Sequence, residues 1–243
     1  MDFTIIEGIR SKPFTALLYG PPKVGKTTLA SKADRPLLLD LEGGADQVGV
    51  RRIAIHDSTM MFEAAKWAGK REDVGTIILD SATEIEKSLA QLVCSVNNKP
   101  TLAAFDYGKG YAELKMQWMR VIKMMQLLQQ HYLKNVILIG HTRVRTFADP
   151  MSESYDRYEP EIHKDVVSPV CAGLDAILFM RPRTIVKDSE DDRRKIAVGT
   201  GRELHTKDSP AFVAGNRFGL KPVYLDPDET IWQAITGVND VRP

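Results

Sequence analysis

The sequence has few of the features that mark a secreted, disulfide-stabilised or membrane-embedded protein. Its 243 residues include only two cysteines, Cys94 and Cys171, too few for a disulfide framework or a zinc-binding pattern. No apolar run is long enough to span a bilayer, and the first twelve residues lack the apolar stretch of a secretory signal. We therefore expect a reduced, cytoplasmic setting and no membrane partner.

An excess of charge of one sign is also missing. Lysine and arginine number 33 and aspartate and glutamate 32, which leaves a formal net charge of +1. This balance excludes a polycation, so any nucleic-acid site has to arise from local clusters of basic residues. The length suits one large domain, and no repeat or linker divides the chain. We therefore predict a single domain over residues 1–243.

Short apolar runs alternate with helical patterns along the chain. Runs that are apolar on both faces indicate buried strands, so the sequence predicts an α/β fold with a mostly parallel central sheet and helices on both faces. Residues 141–164 and 181–195 are polar and charged, and we expect residues 188–194 to form an exposed hairpin tip or loop. The predicted strands are residues 14–19, 36–41, 75–80, 135–140 and 174–180, with shorter candidates at 50–55, 197–204 and 223–225, and the predicted helices are residues 26–33, 59–70, 83–96 and 111–131.

The segment GPPKVGKT, residues 20–27, matches the phosphate-binding pattern GxxxxGK[ST] in full. In such a loop, backbone N–H groups face the phosphates, the lysine reaches the β- and γ-phosphates and the hydroxyl binds Mg²⁺. An apolar strand precedes the segment and a helical pattern follows it, which favours this interpretation over a plain Gly-Pro turn. The segment predicts nucleoside triphosphate binding but not the reaction that follows. Its predicted nucleotide-binding residues are Gly20, Pro21, Pro22, Lys23, Val24, Gly25, Lys26, Thr27 and Thr28.

Acidic residues end two of the predicted strands. Asp80 follows an apolar run and is the expected Walker B carboxylate, which together with Thr27 would hold Mg²⁺. Asp40 and Glu42 are two residues apart and are expected to point to the same side of an extended chain. Glu42 is the candidate for orienting or deprotonating the attacking water; the alternative is a helix cap or a surface acid. His141 directly follows the predicted strand at residues 135–140. There it either hydrogen-bonds a γ-phosphate or has only a structural role.

Four segments in this order and spacing resemble the RecA-core ATPases: LLYGPPKVGKTTLA, LLLDLEGGAD, TIILDSATEIE and NVILIGHTRV. They look most like small bacteriophage proteins of that class, which are stand-alone RecA-like cores acting as single-strand annealing recombinases. The segment GNRFG, residues 215–219, is similar to the KNRFG motif of the bacterial RadA branch. The resemblance extends from about residue 5 to residue 220. It implies ATP and Mg²⁺ as cofactors, single-stranded DNA as partner and assembly into a ring or filament, with a single-strand-binding protein as a further possible partner.

The resemblance also implies roles for individual residues. Glu42 occupies the position of the family's catalytic glutamate, and His141 occupies the position of its polar γ-phosphate sensor. Lys207, Asn216 and Arg217 fall in the region that reaches the ATP of the neighbouring subunit. Two positions depart from the family pattern: Lys23 replaces a glycine, and Gly215 replaces the lysine of KNRFG, so that one charge is either missing or supplied by Lys207.

Two stretches combine cations with aromatic side chains, which would neutralise phosphates and stack on bases. The first, residues 97–111, contains Tyr107 and Lys109. The second, residues 141–164, contains Arg143, Arg145 and Arg157. Both stretches also carry acids, so an ordinary solvated loop is the alternative. In the resembling family, the segments after Ser81 and His141 line single-stranded DNA, which favours a DNA-binding role.

Three functions are compatible with these patterns. The first is a DNA-dependent ATPase of homologous recombination or single-strand annealing. The second is a nucleotide-dependent switch or assembly ATPase that has protein partners and no role on DNA. The third is a small-molecule or nucleoside kinase, which would need an arginine-rich lid and an acceptor pocket that have no clear counterpart in the sequence.

Overall fold

The computed structural model describes residues 12–149, 153–188 and 195–237. The described residues form eleven strands, numbered along the chain as β1 (Thr15–Tyr19), β2 (Pro36–Asp40), β3 (Arg51–Ala54), β4 (Thr76–Asp80), β5 (Asn135–Gly140), β6 (Thr142–Phe147), β7 (Tyr155–Pro160), β8 (Ala176–Asp188), β9 (Lys195–His205), β10 (Gly215–Asn216) and β11 (Val223–Leu225). They also form six α-helices, α1 (Lys26–Ala30), α2 (Ser58–Gly69), α3 (Ala82–Val96), α4 (Lys109–Gln130), α5 (Lys164–Gly173) and α6 (Thr230–Thr236). No helix of this part of the chain is long and apolar enough to cross a bilayer.

Nine of the described strands form one sheet in the order β11-β9-β8-β1-β5-β4-β2-β3, with β10 beside β8. The six strands from β8 to β3 in this order pair in parallel. The strands β9, β10 and β11 pair antiparallel and extend the sheet on the β8 side. The predicted α/β class, with a mostly parallel sheet, is therefore confirmed.

Helices cover both faces of this sheet. Alternate residues of β1 show the division, because Leu17 packs in the core beneath α2, α3, α4 and α5, whereas Leu18 packs in the core beneath α1 and α6. Helix α6 is attached through Trp232, whose indole N–H donates to the carbonyl of Leu29 at 2.8 Å and whose ring stacks on Phe14 with centroids 5.7 Å apart. Two buried apolar layers thus hold the central strands on both sides.

The parallel strands end together along one side of the sheet, which we call the carboxyl edge. The pairing register places Tyr19 opposite Gly140 and Asp40 opposite Asp80. Because ligands of open α/β sheets bind beyond this edge, the residues just after β1, β2, β4 and β5 are the ones that can share a site.

The stretch after β5 differs from the predicted polar loop. Strands β6 and β7 form a separate antiparallel hairpin, in which Arg145 pairs directly with Arg157. Neither strand has an apolar face, so hydrophobic periodicity could not detect it. Strands β8 and β9 are also longer than predicted, and their register shifts between Pro182 and Thr184. Of the predicted exposed tip at residues 188–194, residues 189–194 lie outside the described chain.

Candidate functional site

The phosphate-binding segment lies at the carboxyl edge, between β1 and α1. The N–H of Gly20 donates to the carbonyl of Gly140, at the end of β5, over 3.2 Å. A β-carbon at Gly20 would collide with the carbonyl oxygen of Met180 on β8, so this position requires glycine. Gly25 precedes α1 with a left-handed φ of 97°. The loop is therefore held between two strands at its start and by a helix at its end.

Lys23 adopts a left-handed backbone conformation, with φ at 62°. A left-handed backbone conformation costs a non-glycine residue about 1 kcal/mol. A glycine, which lacks this cost, therefore suits the same position in the P-loops of the RecA-core ATPases. The Lys23 side chain is exposed. Its replacement of glycine is thus accommodated without displacing a neighbouring side chain.

Lys26 is buried inside the loop. Its ammonium donates to the carbonyl oxygens of Gly20 at 3.0 Å and Pro21 at 2.8 Å. Burial lowers the pKa of Lys26, while the nearby carboxylates of Asp80 and Glu42 oppose that shift. The ammonium is therefore held at the loop by carbonyl dipoles, which leaves it able to turn toward a phosphate oxygen.

Thr27 and Asp80 form a second polar pair beside the loop. The Thr27 hydroxyl donates to the Asp80 carboxylate over 2.8 Å. Burial raises the pKa of Asp80 to about 6, and the bond from Thr27 works against that rise. A hydroxyl and a carboxylate are hard oxygen ligands of the kind Mg²⁺ prefers, and Mg²⁺ commonly completes its octahedron with waters and phosphates. These two residues therefore fit the predicted metal site.

Glu42 and His141 meet at the same edge, although 99 residues separate them in sequence. The His141 Nε2 atom lies 3.2 Å and 3.1 Å from the two Glu42 carboxylate oxygens. The backbone N–H of Glu42 donates to the carbonyl of Asp80 over 3.2 Å, which holds the Glu42 backbone beside that of the predicted metal ligand. Within the described residues, Nδ1 of His141 is buried and has no hydrogen-bond partner. The candidate base and the candidate sensor thus contact each other.

Asp40 does not share this arrangement. Its side chain is buried and accepts a hydrogen bond from the N–H of Gly43 at 2.7 Å. The carboxylate therefore closes the turn after β2 and leaves Glu42 as the acid that extends into the site.

One cation at the loop was not found by sequence reasoning. A β-carbon built on Gly25 would collide with Nη1 of Arg202. Arg202 belongs to β9, an antiparallel strand outside every recognised motif, so no spacing or pattern pointed to it. Only the packing of β8 and β9 against the loop brings it there.

Two of the predicted intersubunit residues, Asn216 and Arg217, lie far from the loop of their own chain, at the start of β8. Arg217 pairs with Asp175, with Nη1 and Oδ1 3.4 Å apart, and Asp175 directly precedes β8. The loop contacts β8 at Met180. About five strand residues, or roughly 16 Å, therefore separate the loop from Asp175 and its partner Arg217. Lys207 is exposed just beyond β9, whereas Asn216 accepts bonds from the N–H groups of residues 218 and 220 and is occupied in shaping its own turn.

The three arginines predicted to bind DNA lie on the β6–β7 hairpin. Arg145 and Arg157 lie 3.5 Å and 3.8 Å from oxygens of the buried Glu159. Arg157 also lies 3.9 Å from Asp208 and over the ring of Phe147, at 5.1 Å. Arg143 is opposite Glu159 across the hairpin. The hairpin therefore does bring the three arginines together, but nearby acids of the same chain neutralise part of their charge.

The other predicted DNA-binding stretch is more ordered than expected. Residues 102–104 and 106–108 form short 3₁₀ turns, and Lys109 is the first residue of α4. Tyr107 is fully exposed, with a left-handed φ of 53°. Two residues into α4, Tyr111 stacks on His163 with ring centroids 4.7 Å apart. This contact places the two candidate stretches side by side.

Comparisons with known proteins locate the chain within a family. Residues 12–218 match the model of the AAA domain family. No curated protein matches the chain. Among solved structures, the chain is similar to the RadB recombinase, with 14% sequence identity, a TM-score of 0.48 and coverage of 88% of this chain and 86% of that chain.

The family match covers most of the chain and includes the phosphate-binding segment, the Asp80 strand end and the β6–β7 hairpin. The likeness to the solved structure is too distant to add an argument to it. This chain belongs to the AAA domain family of P-loop ATPases.

Proposed function

We propose that this protein is a RecA-like ATPase that binds single-stranded DNA and promotes homologous recombination or single-strand annealing. The observation that carries the proposal is the junction at His141. This residue contacts Glu42 at the carboxyl edge and is followed at once by β6 and its arginines. A group that responds to a phosphate at this point would move the start of the strand that follows it, and would thereby couple nucleotide state to DNA affinity.

The nucleotide of this proposal is ATP with Mg²⁺. The loop N–H groups and Lys26 would hold the phosphates, and Thr27 and Asp80 would hold the metal. When bound, Mg²⁺ supplies positive charge that offsets the charge developing on the β- and γ-phosphate oxygens. The short distance between the Thr27 hydroxyl and the Asp80 carboxylate supports this assignment.

Glu42 is the proposed general base. It would take a proton from the water that attacks the γ-phosphorus, while the bond between that phosphorus and the leaving oxygen breaks. In the present arrangement His141 engages both carboxylate oxygens of Glu42. We infer that a γ-phosphate competes for the His141 ring, so that Glu42 becomes available to the water only when the triphosphate is in place.

The proposal includes ATP at the contact between two copies of the chain. Arg217 lies too far from its own loop to serve it, so it would act on the nucleotide of the neighbour as an arginine finger. Lys207 would add the second charge in place of the lysine that Gly215 replaces. The assembly is then a homo-oligomeric ring or filament.

Single-stranded DNA would lie along the adjoining surfaces of the β6–β7 hairpin and the start of α4. Arg143, Arg145, Arg157 and Lys109 would contact phosphates, and Tyr107 would stack on a base. The exposed position of Tyr107 and the contact between Tyr111 and His163 support one continuous surface.

The resemblance to small bacteriophage recombinases supports the remaining parts of the proposal. These are a single RecA-like domain over residues 1–243, a phage origin with action in the bacterial host cytoplasm, stimulation of the ATPase by DNA and cooperation with a single-strand-binding protein.

Binding to oligo-dT at low salt, with ATP and without nucleotide, tests the proposed partner. We expect binding that is stronger with ATP and whose logarithm falls linearly with the logarithm of salt concentration. Absence of binding in both states would overturn the DNA role. It would leave the alternative, a nucleotide-dependent switch or assembly ATPase with protein partners, which the ion pairs within the hairpin also suit.

A further inference from the structure

The β8–β9 part of the sheet packs directly on the phosphate-binding loop. The Met180 carbonyl contacts Gly20, and the Met180 methyl group lies 3.9 Å from the position of a β-carbon on Gly25. Arg202 lies on β9 opposite Pro182, two residues along from Leu204, which pairs with Met180. Its guanidinium lies against Gly25, since the central carbon of that group is 3.6 Å from the same β-carbon position. A positive charge from outside the motif therefore lies against the loop backbone.

The guanidinium of Arg202 has no partner in the parts of the chain described, 12–149, 153–188 and 195–237: no hydrogen bond or ion pair reaches its side-chain nitrogens there. The neighbouring charges on the two strands are matched, because Arg181 pairs with Glu203, which also accepts from His205 at 3.0 Å. Arg202 is only half-buried. An unpaired guanidinium beside a phosphate-binding loop favours an anion as its partner.

The backbone of Arg202 is fixed in place by Asp226. The Asp226 carboxylate accepts from the Arg202 N–H at 2.9 Å, and the Asp226 N–H donates to the Arg202 carbonyl at 2.8 Å. Gly201, with φ at 117°, leaves room for that carboxylate, which a β-carbon there would meet. These bonds fix the Arg202 backbone, which restricts the positions that its guanidinium can take over the loop.

We propose that Arg202 is a phosphate ligand for the bound nucleotide, supplied by the same chain as the loop. The proposal rests on the nucleotide binding proposed above and deepens it, because Lys26 is the one lysine that the phosphate-binding pattern itself requires, and the other lysine of the segment, Lys23, is exposed. The planar guanidinium offers two parallel N–H groups to phosphate oxygens. Since the loop N–H groups beside it cradle the α- and β-phosphates, Arg202 contacts a part of the nucleotide that ADP and ATP share.

The dissociation constants of ADP and ATP, each with Mg²⁺, test this ligand by calorimetry on the full chain. We expect Arg202→Gln to raise both constants by about tenfold or more, because a charge-assisted bond is lost. Arg202→Lys keeps the charge but lacks the two parallel N–H groups of the guanidinium. Its dissociation constants should therefore lie between those of the wild type and Arg202→Gln. Arg71→Ala, which removes an exposed arginine distant from the loop, leaves both constants unchanged.

A nucleotide-free unfolding midpoint for each variant separates binding from folding. If either Arg202→Gln or Arg202→Lys fails to fold, the dissociation constants of the other variant are compared with those of the wild type. Wild-type affinity for both nucleotides in the folded variants would overturn the assignment while the wild-type protein still binds nucleotide. Failure of the wild-type protein to bind either nucleotide would instead overturn the proposed function, and this inference with it.

Discussion

The cations of the phosphate-binding loop and those of the β6–β7 hairpin are arranged in opposite ways. At the loop, Lys26 is bonded to backbone carbonyls. The guanidinium of Arg202 pairs with no acid within the described residues, because Asp226 bonds only its backbone N–H, so positive charge is left for an anion. On the hairpin, Arg145 and Arg157 already face the buried Glu159. The loop is thus prepared for a phosphate, whereas the hairpin must exchange its internal ion pairs before it binds one.

The largest effect expected at the loop comes from Glu42→Gln. Removal of the proposed base should lower the rate of ATP hydrolysis by roughly a thousandfold and leave the dissociation constant of ATP within about twofold. Single-turnover hydrolysis and calorimetry measure the two quantities. Glu63→Gln, on the exposed side of α2, is the matched control, and a wild-type rate in Glu42→Gln would remove Glu42 from the mechanism.

Lys26→Ala should have the next largest effect, on nucleotide affinity. The buried ammonium is the cation of the motif, and its loss should weaken ATP binding by about 100-fold. Lys66→Ala, an exposed lysine of α2, provides the comparison in the same binding assay. Equal affinities for the two variants would show that the loop does not hold the phosphates as proposed.

Asp80→Asn should stabilise the nucleotide-free protein while it weakens Mg²⁺-dependent binding. The pKa of Asp80 is about 6 in the folded protein and about 4 in the unfolded chain. The folded state therefore binds more protons between these values, and folding becomes less favourable as pH rises from about 4 to about 6. At pH 7.5 the substitution should add about 2 to 3 kcal/mol to the free energy of unfolding.

Denaturant unfolding of Asp80→Asn and the wild type at pH 4 and pH 7.5 measures this effect. The two proteins should converge at pH 4, where Asp80 is largely protonated. A variant that is less stable than the wild type at pH 7.5 would contradict the cost assigned to the buried charge.

The smallest effect, on the hairpin, tests the other side of the comparison. Glu159→Gln frees Arg145 and Arg157 from their acid and should strengthen binding to oligo-dT by about threefold to tenfold, whereas Arg145→Ala should weaken it and reduce the salt slope by about 1. Fluorescence anisotropy at several salt concentrations measures both. Unchanged binding in both variants would exclude the hairpin as the DNA surface.

The parts of the fold that the sequence predicted are those with strong local signals. The five main strands and the loop carry apolar runs and a motif, and Asp80, Glu42 and His141 follow from strand ends that a parallel sheet brings to one edge. The β6–β7 hairpin has no apolar face, so its pattern resembles a polar loop. The position of Arg202 depends on long-range packing and on the turn at Asp226, which no local pattern encodes.

The rate of ATP hydrolysis with and without oligo-dT tests the central claim most directly, that His141 joins the nucleotide site to a DNA-binding hairpin. The account predicts a rate that rises several-fold with oligo-dT in the wild type, and a low rate in Glu42→Gln with or without DNA. A wild-type rate that oligo-dT leaves unchanged, under conditions where the DNA is bound, would contradict the coupling.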